Sequence, residues 1–293
     1  MKQPNAHSYG ISKYVDAGNG RRLHYMVKGT GSPTVVFESG MGRSRSSWGL
    51  VQPVVADKMC AVVYDRAGMG LSDDDAAPRT LARMVEDLLL LLNALGPGPF
   101  ILVGHSWGGP IVRKAAEKLL ETEPSCLRGI ILVDPSDENA DLYFTRSVAF
   151  QFDMSRKLAP GMAKLGLTRL LGAKPGMVQP KDVAEDHVRE DFSVRAARTA
   201  VAEMTPFLND LAELRKNPIQ LGKLEVSLIS GSKPAFMEKK IRIAIGEAHR
   251  KMISTLENGR FIDARESGHM VMFTEPGLIV DEVLRMAGSA HNV

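Results

Sequence analysis

The 293-residue chain has few cysteines, little excess charge of either sign and no long hydrophobic run. Its two cysteines, Cys60 and Cys126, fall in or beside predicted core strands, so we expect buried free thiols and a reducing cytoplasm rather than a disulfide. The net charge is only +3 and like charges are not clustered in blocks, which argues against a nucleic-acid partner. The longest strongly apolar run, Leu88–Leu92, is far too short to span a bilayer.

Sequence motifs for common cofactors are also missing. The chain has no Gly-x-x-x-x-Gly-Lys-Ser/Thr phosphate loop and no His-Glu-x-x-His metal motif, and the pair Gly68 and Gly70 lacks the third glycine of a dinucleotide fingerprint. The charged residues around Asp186 and Glu190 are typical of a solvated helix face. We therefore predict an activity that needs no metal and no cofactor.

Strands and helices alternate along most of the chain, which favours a doubly wound, mostly parallel sheet. Apolar and β-branched runs predict the strands Ser12–Asp16, Arg22–Lys28, Thr34–Glu38, Cys60–Tyr64, Phe100–Val103, Gly129–Asp134, Glu225–Ser230 and Arg260–Ala264. Helices are predicted from the cap Thr80 to Leu95, from Gly109 to Thr122, from Glu238 to Leu256, and over Glu275–Ala287 with Thr274 as its cap and Gly288 as its stop.

The alternation stops between Asp134 and Glu225, where helical patterns replace strands. These helices are predicted over Leu142–Leu158, Pro160–Leu171, Asp182–Met204 and Pro206–Lys216, with breaks at the prolines. We interpret residues 136–222 as a helical cap inserted into an α/β core that comprises residues 1–135 and 223–293.

The segment Phe100–Pro110 carries the strongest functional signal. A buried strand is followed by Gly104-His105-Ser106-Trp107-Gly108 and then by a helix, which is the strand–turn–helix context of a Gly-x-Ser-x-Gly nucleophile elbow. The two glycines allow strand and helix to approach closely around the serine. Ser106 is therefore the candidate nucleophile.

A serine hydroxyl needs a general base and an orienting carboxylate. His269 follows the last predicted strand, at the sheet edge where the elbow opens, and is the candidate base. We expect the His105 side chain to point away from the active site, because adjacent residues of the elbow diverge. The remaining histidines are discounted by their positions in termini, in an edge strand or in charged helices: His7, His24, His187, His249 and His291.

Several carboxylates could orient the base. Asp134 ends the strand after the elbow unit and satisfies the chain order serine, acid, histidine, although an Asp before Pro135 is also typical of a turn. The other candidates are Asp137 and Glu138 at the entrance to the cap, and Asp263 and Glu266, which are too near His269 along the chain to reach its far nitrogen easily.

An acyl-transfer site also needs two donors for the oxyanion of the tetrahedral intermediate. The backbone N–H of Trp107, at a helix N-terminus, is one candidate. The N–H of Met41 is the second, because it follows the Thr34–Glu38 strand and lies between Gly40 and Gly42. We predict that Gly40 and Met270 contact substrate, with Met41 and Met270 lining an apolar acyl pocket.

These motifs resemble the α/β-hydrolase superfamily along nearly the whole chain. The similar segments, in family order, are Phe37–Gly42, Tyr64–Ser72, Gly104–Gly109, Leu132–Pro135 and Ser267–His269 with Glu275-Pro276 downstream. The resemblance implies an eight-stranded sheet and a helical cap inserted after the sixth strand.

The chain departs from the family pattern at one point. Many members carry the acid after the seventh strand, but here Ser230–Pro234 has no carboxylate and the next one is Glu238. The resemblance therefore implies Asp134 as the acid, with Glu238 in reserve. A tryptophan directly after the nucleophile, here Trp107, is similar to the arrangement in haloalkane dehalogenases and epoxide hydrolases. Those enzymes use Asp as nucleophile, so Ser106 favours ester chemistry instead.

The sequence thus predicts a serine hydrolase that cleaves a small-molecule carboxylic ester through an acyl-enzyme, with no membrane span and no nucleic-acid partner. Related acyl chemistry stays open, namely thioester or lactone hydrolysis, acyl transfer and perhydrolysis. A small-molecule receptor with negligible turnover is a further alternative. The motifs specify neither the substrate nor the number of subunits.

Overall fold

The structure, a computed structural model, describes residues 7–234 and 239–288. The strands are β1 (Ile11–Asp16), β2 (Arg22–Lys28), β3 (Thr34–Glu38), β4 (Ala61–Tyr64), β5 (Phe100–His105), β6 (Leu127–Val133), β7 (Val226–Gly231) and β8 (Gly259–Ala264). They form one eight-stranded sheet in the order β1-β2-β4-β3-β5-β6-β7-β8, in which β2 is antiparallel to both of its neighbours and the other pairings are parallel. The predicted fold class is confirmed.

Helices cover both faces of the sheet. They are α1 (Gln52–Val55), α2 (Leu81–Leu95), α3 (Gly108–Thr122), α4 (Arg146–Lys164), α5 (Leu167–Gly172), α6 (Lys181–Glu190), α7 (Val194–Lys216), α8 (Lys239–Ser254), α9 (Val271–Thr274) and α10 (Pro276–Met286). Helices α2, α3 and α8 contribute Leu88, Ile111 and Met252 to one core cluster. Helices α1 and α10 contribute Val55 and Ile279 to the cluster on the opposite face.

Strand β5 occupies the middle of the sheet, between β3 and β6. All six of its residues are buried, because a parallel strand between two helical layers is covered on both faces. Its alternate side chains enter the two core clusters, with Leu102 on one face and Val103 on the other. The central position brings the end of β5 beside the ends of β3 and β6, at the carboxyl edge of the sheet.

Residues 136–222, which connect β6 to β7, contain helices α4 to α7 and no strand. Two predicted breaks are wrong: α4 continues through Pro160 and α7 through Pro206. A proline inside a helix removes one backbone hydrogen bond, but packing between helices can offset that cost. Here Phe152 of α4 stacks on Phe207 of α7, with ring centroids 5.2 Å apart.

The helix predicted over Asp182–Met204 is two helices instead. They are divided before Ser193, whose hydroxyl accepts a hydrogen bond from the Ala196 amide and caps α7. The cap predicted at Thr274 is also wrong. Thr274 ends α9, its hydroxyl donates to the Met270 carbonyl, and α10 begins with Pro276. By contrast, Thr80 caps α2 as predicted.

A buried arginine joins residues 136–222, called the helical segment below, to the rest of the protein. Arg45, just after the β3 loop, hydrogen bonds Asp65 of the core at 2.7 Å. The same guanidinium bonds Asp186 at 2.5 Å and Glu190 at 2.7 Å, both on α6. The solvated helix face predicted there is therefore wrong, since these carboxylates and His187 are buried. The sequence pattern missed this because the countercharge comes from a distant part of the chain.

We expect Arg45→Met to destabilise the fold by about 3–5 kcal/mol, because removing one partner leaves buried carboxylates without a countercharge. Arg265→Met is the matched control, since Arg265 is 83% exposed and its pair with Asp263 should contribute less than about 1 kcal/mol. Urea unfolding followed by circular dichroism measures both. Equal losses for the two variants would contradict the prediction.

Candidate active site

Ser106 lies directly after β5, in a tight turn that leads into α3. Its φ of 53° is in the left-handed region, which is unusual for a residue with a side chain and typical of a strained nucleophile elbow. A Cβ placed on Gly104 would lie 2.4 Å from the Gly108 carbonyl oxygen, so only glycine fits at that crossing. The turn is held by a bond from the Ser106 amide to the Val133 carbonyl at 3.1 Å.

The structure brings three predicted site residues together. His269, in the loop between β8 and α9, has its Nε2 atom 3.0 Å from the Ser106 hydroxyl. Its Nδ1 atom lies 2.6 Å from a carboxylate oxygen of Asp134. An ionised carboxylate can only accept a hydrogen bond, so it favours the tautomer with the proton on Nδ1. That tautomer leaves Nε2 free to accept the proton of the serine hydroxyl.

The Asp134 carboxylate is buried and fully engaged. One oxygen accepts a hydrogen bond from the Gly231 amide at 3.0 Å, and the other accepts from Arg242 at 2.8 Å as well as from His269. Burial acts to raise the pKa of Asp134, but the hydrogen bond and charge of His269 and the charge of Arg242 hold this pKa well below its usual range. Asp134 is therefore ionised at neutral pH.

The rival carboxylates have other partners. Glu138 forms a two-pronged pair with Arg113 at 2.7 and 2.8 Å. The remaining candidates bond elsewhere: Asp137 to Asn139, Asp263 to Arg265, and Glu266 to Lys233. Among the carboxylates that the structure describes, only that of Asp134 bonds the His269 ring. Glu238, the reserve acid, lies outside the described residues.

His105 does not point away from the site as predicted. Its ring packs against that of His269, with centroids 4.7 Å apart, and its Nε2 atom donates a hydrogen bond to the His269 carbonyl at 3.0 Å. Burial, helped by the neighbouring His269, lowers the pKa of His105 to about 3, so the ring is neutral at physiological pH. His105 thus supports the loop that carries His269.

The loop after β3 lies against the serine. A Cβ on Gly40 would sit 2.9 Å from Nδ1 of His105 and 3.2 Å from the Ser106 Cβ, so the backbone approaches the site as closely as glycine allows. Neither the Met41 amide nor the Trp107 amide donates a hydrogen bond to any other described group. Within the described residues, therefore, neither N–H group has an acceptor.

Buried charges hold this loop from behind. Arg66 donates to the carbonyl oxygens of Ser39 at 2.6 Å and Gly40 at 2.7 Å. Glu203 of α7 accepts from the Gly42 amide at 2.8 Å and from Arg66 at 2.8 Å. Sequence reasoning missed Glu203, although a lone carboxylate among apolar helix residues was a usable signal. It also missed Arg242, for which the local sequence offers no such signal.

A cleft of about 240 Å³ opens beside the three residues. Its wall is formed by Ser106, Asp134, Pro135, Tyr143, Ile241, Arg242, Ile245 and His269. Gly40, Met41 and Met270 are not part of that wall. The Met270 side chain packs against the core cluster that contains α10, and Met41 packs against the other cluster. Their contact with substrate stays a prediction.

Three further observations bear on the class of site and on the cysteine prediction. Within residues 7–234 and 239–288, no group of three or more His, Cys, Asp or Glu side chains could hold a metal ion. Across the same residues, none of the helices has the length and apolar character needed to cross a membrane. Cys60 and Cys126 are both free thiols, but only Cys126 is buried as predicted, because Cys60 is half-buried.

Comparison with known proteins gives a consistent family. A model of the alpha/beta hydrolase family matches residues 35–282. The AB hydrolase superfamily protein of Gibberella zeae is 24% identical over 317 residues, with 94% of each chain covered. Among solved structures, epoxide hydrolase CorEH is 21% identical with a TM-score of 0.67, covering 94% of this chain and 98% of that one.

The Cif epoxide hydrolase from Acinetobacter nosocomialis is 14% identical with a TM-score of 0.73, covering 94% of this chain and 88% of the other. At such low identity, these structures establish a shared fold rather than a shared substrate. Together with the family match they support hydrolase activity. Because the family model spans most of the chain, and the sheet and its neighbours agree with it, the protein belongs to the α/β-hydrolase family.

Proposed function

We propose that this protein is a serine hydrolase that cleaves a small-molecule carboxylic ester through an acyl-enzyme intermediate. The observation that carries the proposal is the continuous hydrogen-bonded chain from the Ser106 hydroxyl through His269 to the buried Asp134 carboxylate. This arrangement provides a nucleophile, a general base and an orienting anion in contact, at the mouth of a cleft.

In the first half of the reaction, the Ser106 oxygen attacks the carbonyl carbon of the ester while its proton passes to Nε2 of His269. Asp134 fixes the ring and stabilises the imidazolium that forms, without taking the proton itself. The imidazolium then gives its proton to the departing alcohol, leaving an acyl group on Ser106. In the second half, His269 activates a water molecule that attacks this acyl group, and the serine is regenerated.

The negative charge that develops on the carbonyl oxygen needs donors that are already in place. We assign this role to the amides of Met41 and Trp107, which have no other partner among the described residues. One such donor contributes about 3 kcal/mol to stabilising the transition state. The Trp107 amide also stands at the N-terminus of α3, where the helix dipole favours an anion.

The cleft suggests a substrate of modest size. Tyr143, Ile241 and Ile245 give its wall an apolar part next to the nucleophile. We interpret residues 136–222 as a cap that closes this cleft from above, with Tyr143 as its contribution to the wall. The unpaired cysteines are compatible with the cytoplasmic location that we propose.

Serine chemistry distinguishes this site from that of an epoxide hydrolase. A carboxylate that opens an epoxide forms an ester, which water can cleave to release the product. A serine that opened an epoxide would form an ether, which a His–Asp pair cannot hydrolyse. The presence of Ser106 in the elbow therefore supports acyl substrates, including esters, over epoxides.

Replacing the nucleophile tests the proposal directly. We expect Ser106→Ala to lower kcat for p-nitrophenyl butyrate by about 10⁴-fold or more, since no acyl-enzyme can form. Ser232→Ala removes an exposed serine outside the cleft wall and should leave the rate unchanged. Rapid quenching followed by peptide mass spectrometry should find the butyryl group on Ser106. Wild-type-like turnover in Ser106→Ala would exclude the serine mechanism.

The acid can be tested with an isosteric change. Asp134→Asn should reduce kcat by about 10⁴-fold, because the amide no longer enforces the His269 tautomer. Glu266→Gln is the control: this carboxylate lies near His269 in sequence but pairs with Lys233 at the surface. Steady-state kinetics on both variants measures the difference. A comparable loss from Glu238→Gln, with Asp134→Asn active, would transfer the role to Glu238.

Glu203 provides a test of the loop that carries the Met41 amide. Glu203→Gln keeps the size of the side chain but removes the charge that anchors the Gly42 amide and Arg66. We expect kcat to fall about tenfold with little change in KM, because the loop acts on the transition state.

Glu213→Gln, an exposed change on the same helix, should alter neither constant. A rise in KM with unchanged kcat in Glu203→Gln would show that the residue acts on substrate binding instead. The test therefore separates positioning of the oxyanion donors from a general effect on the helical segment.

A further inference from the structure

Exposed hydrophobic side chains are concentrated on one part of the helical segment. Between residues 165 and 178, six large apolar side chains are 39% to 77% exposed: Leu165, Leu167, Leu170, Leu171, Met177 and Val178. We call this set the apolar edge. Single exposed hydrophobic residues are ordinary on protein surfaces, but six within fourteen residues of the chain are typical of an interaction site.

The same region carries a strong positive charge. Residues 141–181 contain seven lysines and arginines and only two acidic residues, whereas the whole chain has a net charge of +3. Within the described part of the chain, no carboxylate forms an ion pair with Lys164, Arg169 or Lys174, which alternate with the exposed leucines. In sequence, these cations thus lie next to and between the residues of the apolar edge.

An open hollow continues this surface. It measures about 520 Å³ and is lined in part by Arg169, Met177, Val188 and Phe192. Its lining also includes the basic residue Arg189 and one acidic residue, Glu185. A surface of aliphatic side chains with basic groups at its margin has the composition of protein segments that lie in the interface of an anionic membrane.

We propose that the apolar edge docks on the surface of a bilayer that contains anionic phospholipids. The leucines enter the boundary between headgroups and acyl chains, while Lys164, Arg169 and Lys174 contact lipid phosphates. Each partly buried leucine and each basic residue adds to the affinity, so several together produce reversible binding. The inference concerns this surface alone and does not depend on the reaction at Ser106.

A second copy of the chain fits this surface less well. A twofold interface brings each patch against its own equivalent, so the unpaired cations of the two copies would face one another and repel. A folded protein partner is also disfavoured, because protein interfaces are rich in aromatic anchors and hydrogen-bonding groups. The six side chains of the apolar edge are all aliphatic, and an aromatic residue, Phe192, enters only in the adjoining hollow.

Vesicle co-sedimentation tests the proposal. The purified protein should pellet with vesicles of phosphatidylcholine and phosphatidylglycerol, and far less with phosphatidylcholine alone. Leu170→Ser with Leu171→Ser should weaken binding by about tenfold or more, since both side chains are more than 70% exposed. The matched control is Ile11→Ser with Val54→Ser, which removes two exposed aliphatic side chains outside the helical segment. This variant should bind like wild type.

The charge contribution is tested separately. Replacing Lys164, Arg169 and Lys174 with glutamine should reduce binding to anionic vesicles, and raising NaCl from about 0.1 to about 0.5 M should do the same. Equal binding by the leucine variant and its control would overturn the proposal, as would failure of the wild type to pellet. So would a dimer, seen by light scattering, that the leucine variant abolishes, because a second copy would then cover the edge.

Discussion

The buried carboxylate of Asp134 is the group on which the geometry of the site depends. It joins three separate parts of the chain: the end of β6, the first turn of α8 through Arg242, and the His269 loop. A buried carboxylate without partners would be costly, and here its hydrogen bonds and the Arg242 charge offset that cost. The same bonds fix the His269 ring at hydrogen-bonding distance from Ser106, so the contacts that stabilise the carboxylate also orient the imidazole.

Much of the fold and the approach of the three site residues could be predicted from the sequence, because both depend on local patterns and on sheet topology. Short apolar runs gave the strands, and the rule that parallel strands end at one edge brought Ser106, Asp134 and His269 together. The partners of the supporting residues could not be predicted in this way. His105 and Glu203 act through contacts between residues more than a hundred positions apart, which no spacing rule encodes.

The helix boundaries failed for a related reason. Proline and charge patterns describe the conformation that a segment prefers in isolation. They therefore predicted helix breaks at Pro160 and Pro206 and a solvent-exposed helix face near Asp186. In the folded chain, α4 packs on α7 through stacked aromatic rings, and Arg45 supplies α6 with a countercharge. Tertiary contacts of this strength outweigh local preference.

Core arginines also determine what the helical segment shows to its surroundings. Arg45, Arg66 and Arg113 each bind carboxylates of that segment, and these acidic groups are all buried: Glu138, Asp186, Glu190 and Glu203. These four acidic residues thus face the core, while many of the segment's basic residues face outward. One set of ion pairs therefore has two consequences, because anchoring the segment to the core also buries acidic side chains that would otherwise offset the basic residues near the exposed leucines.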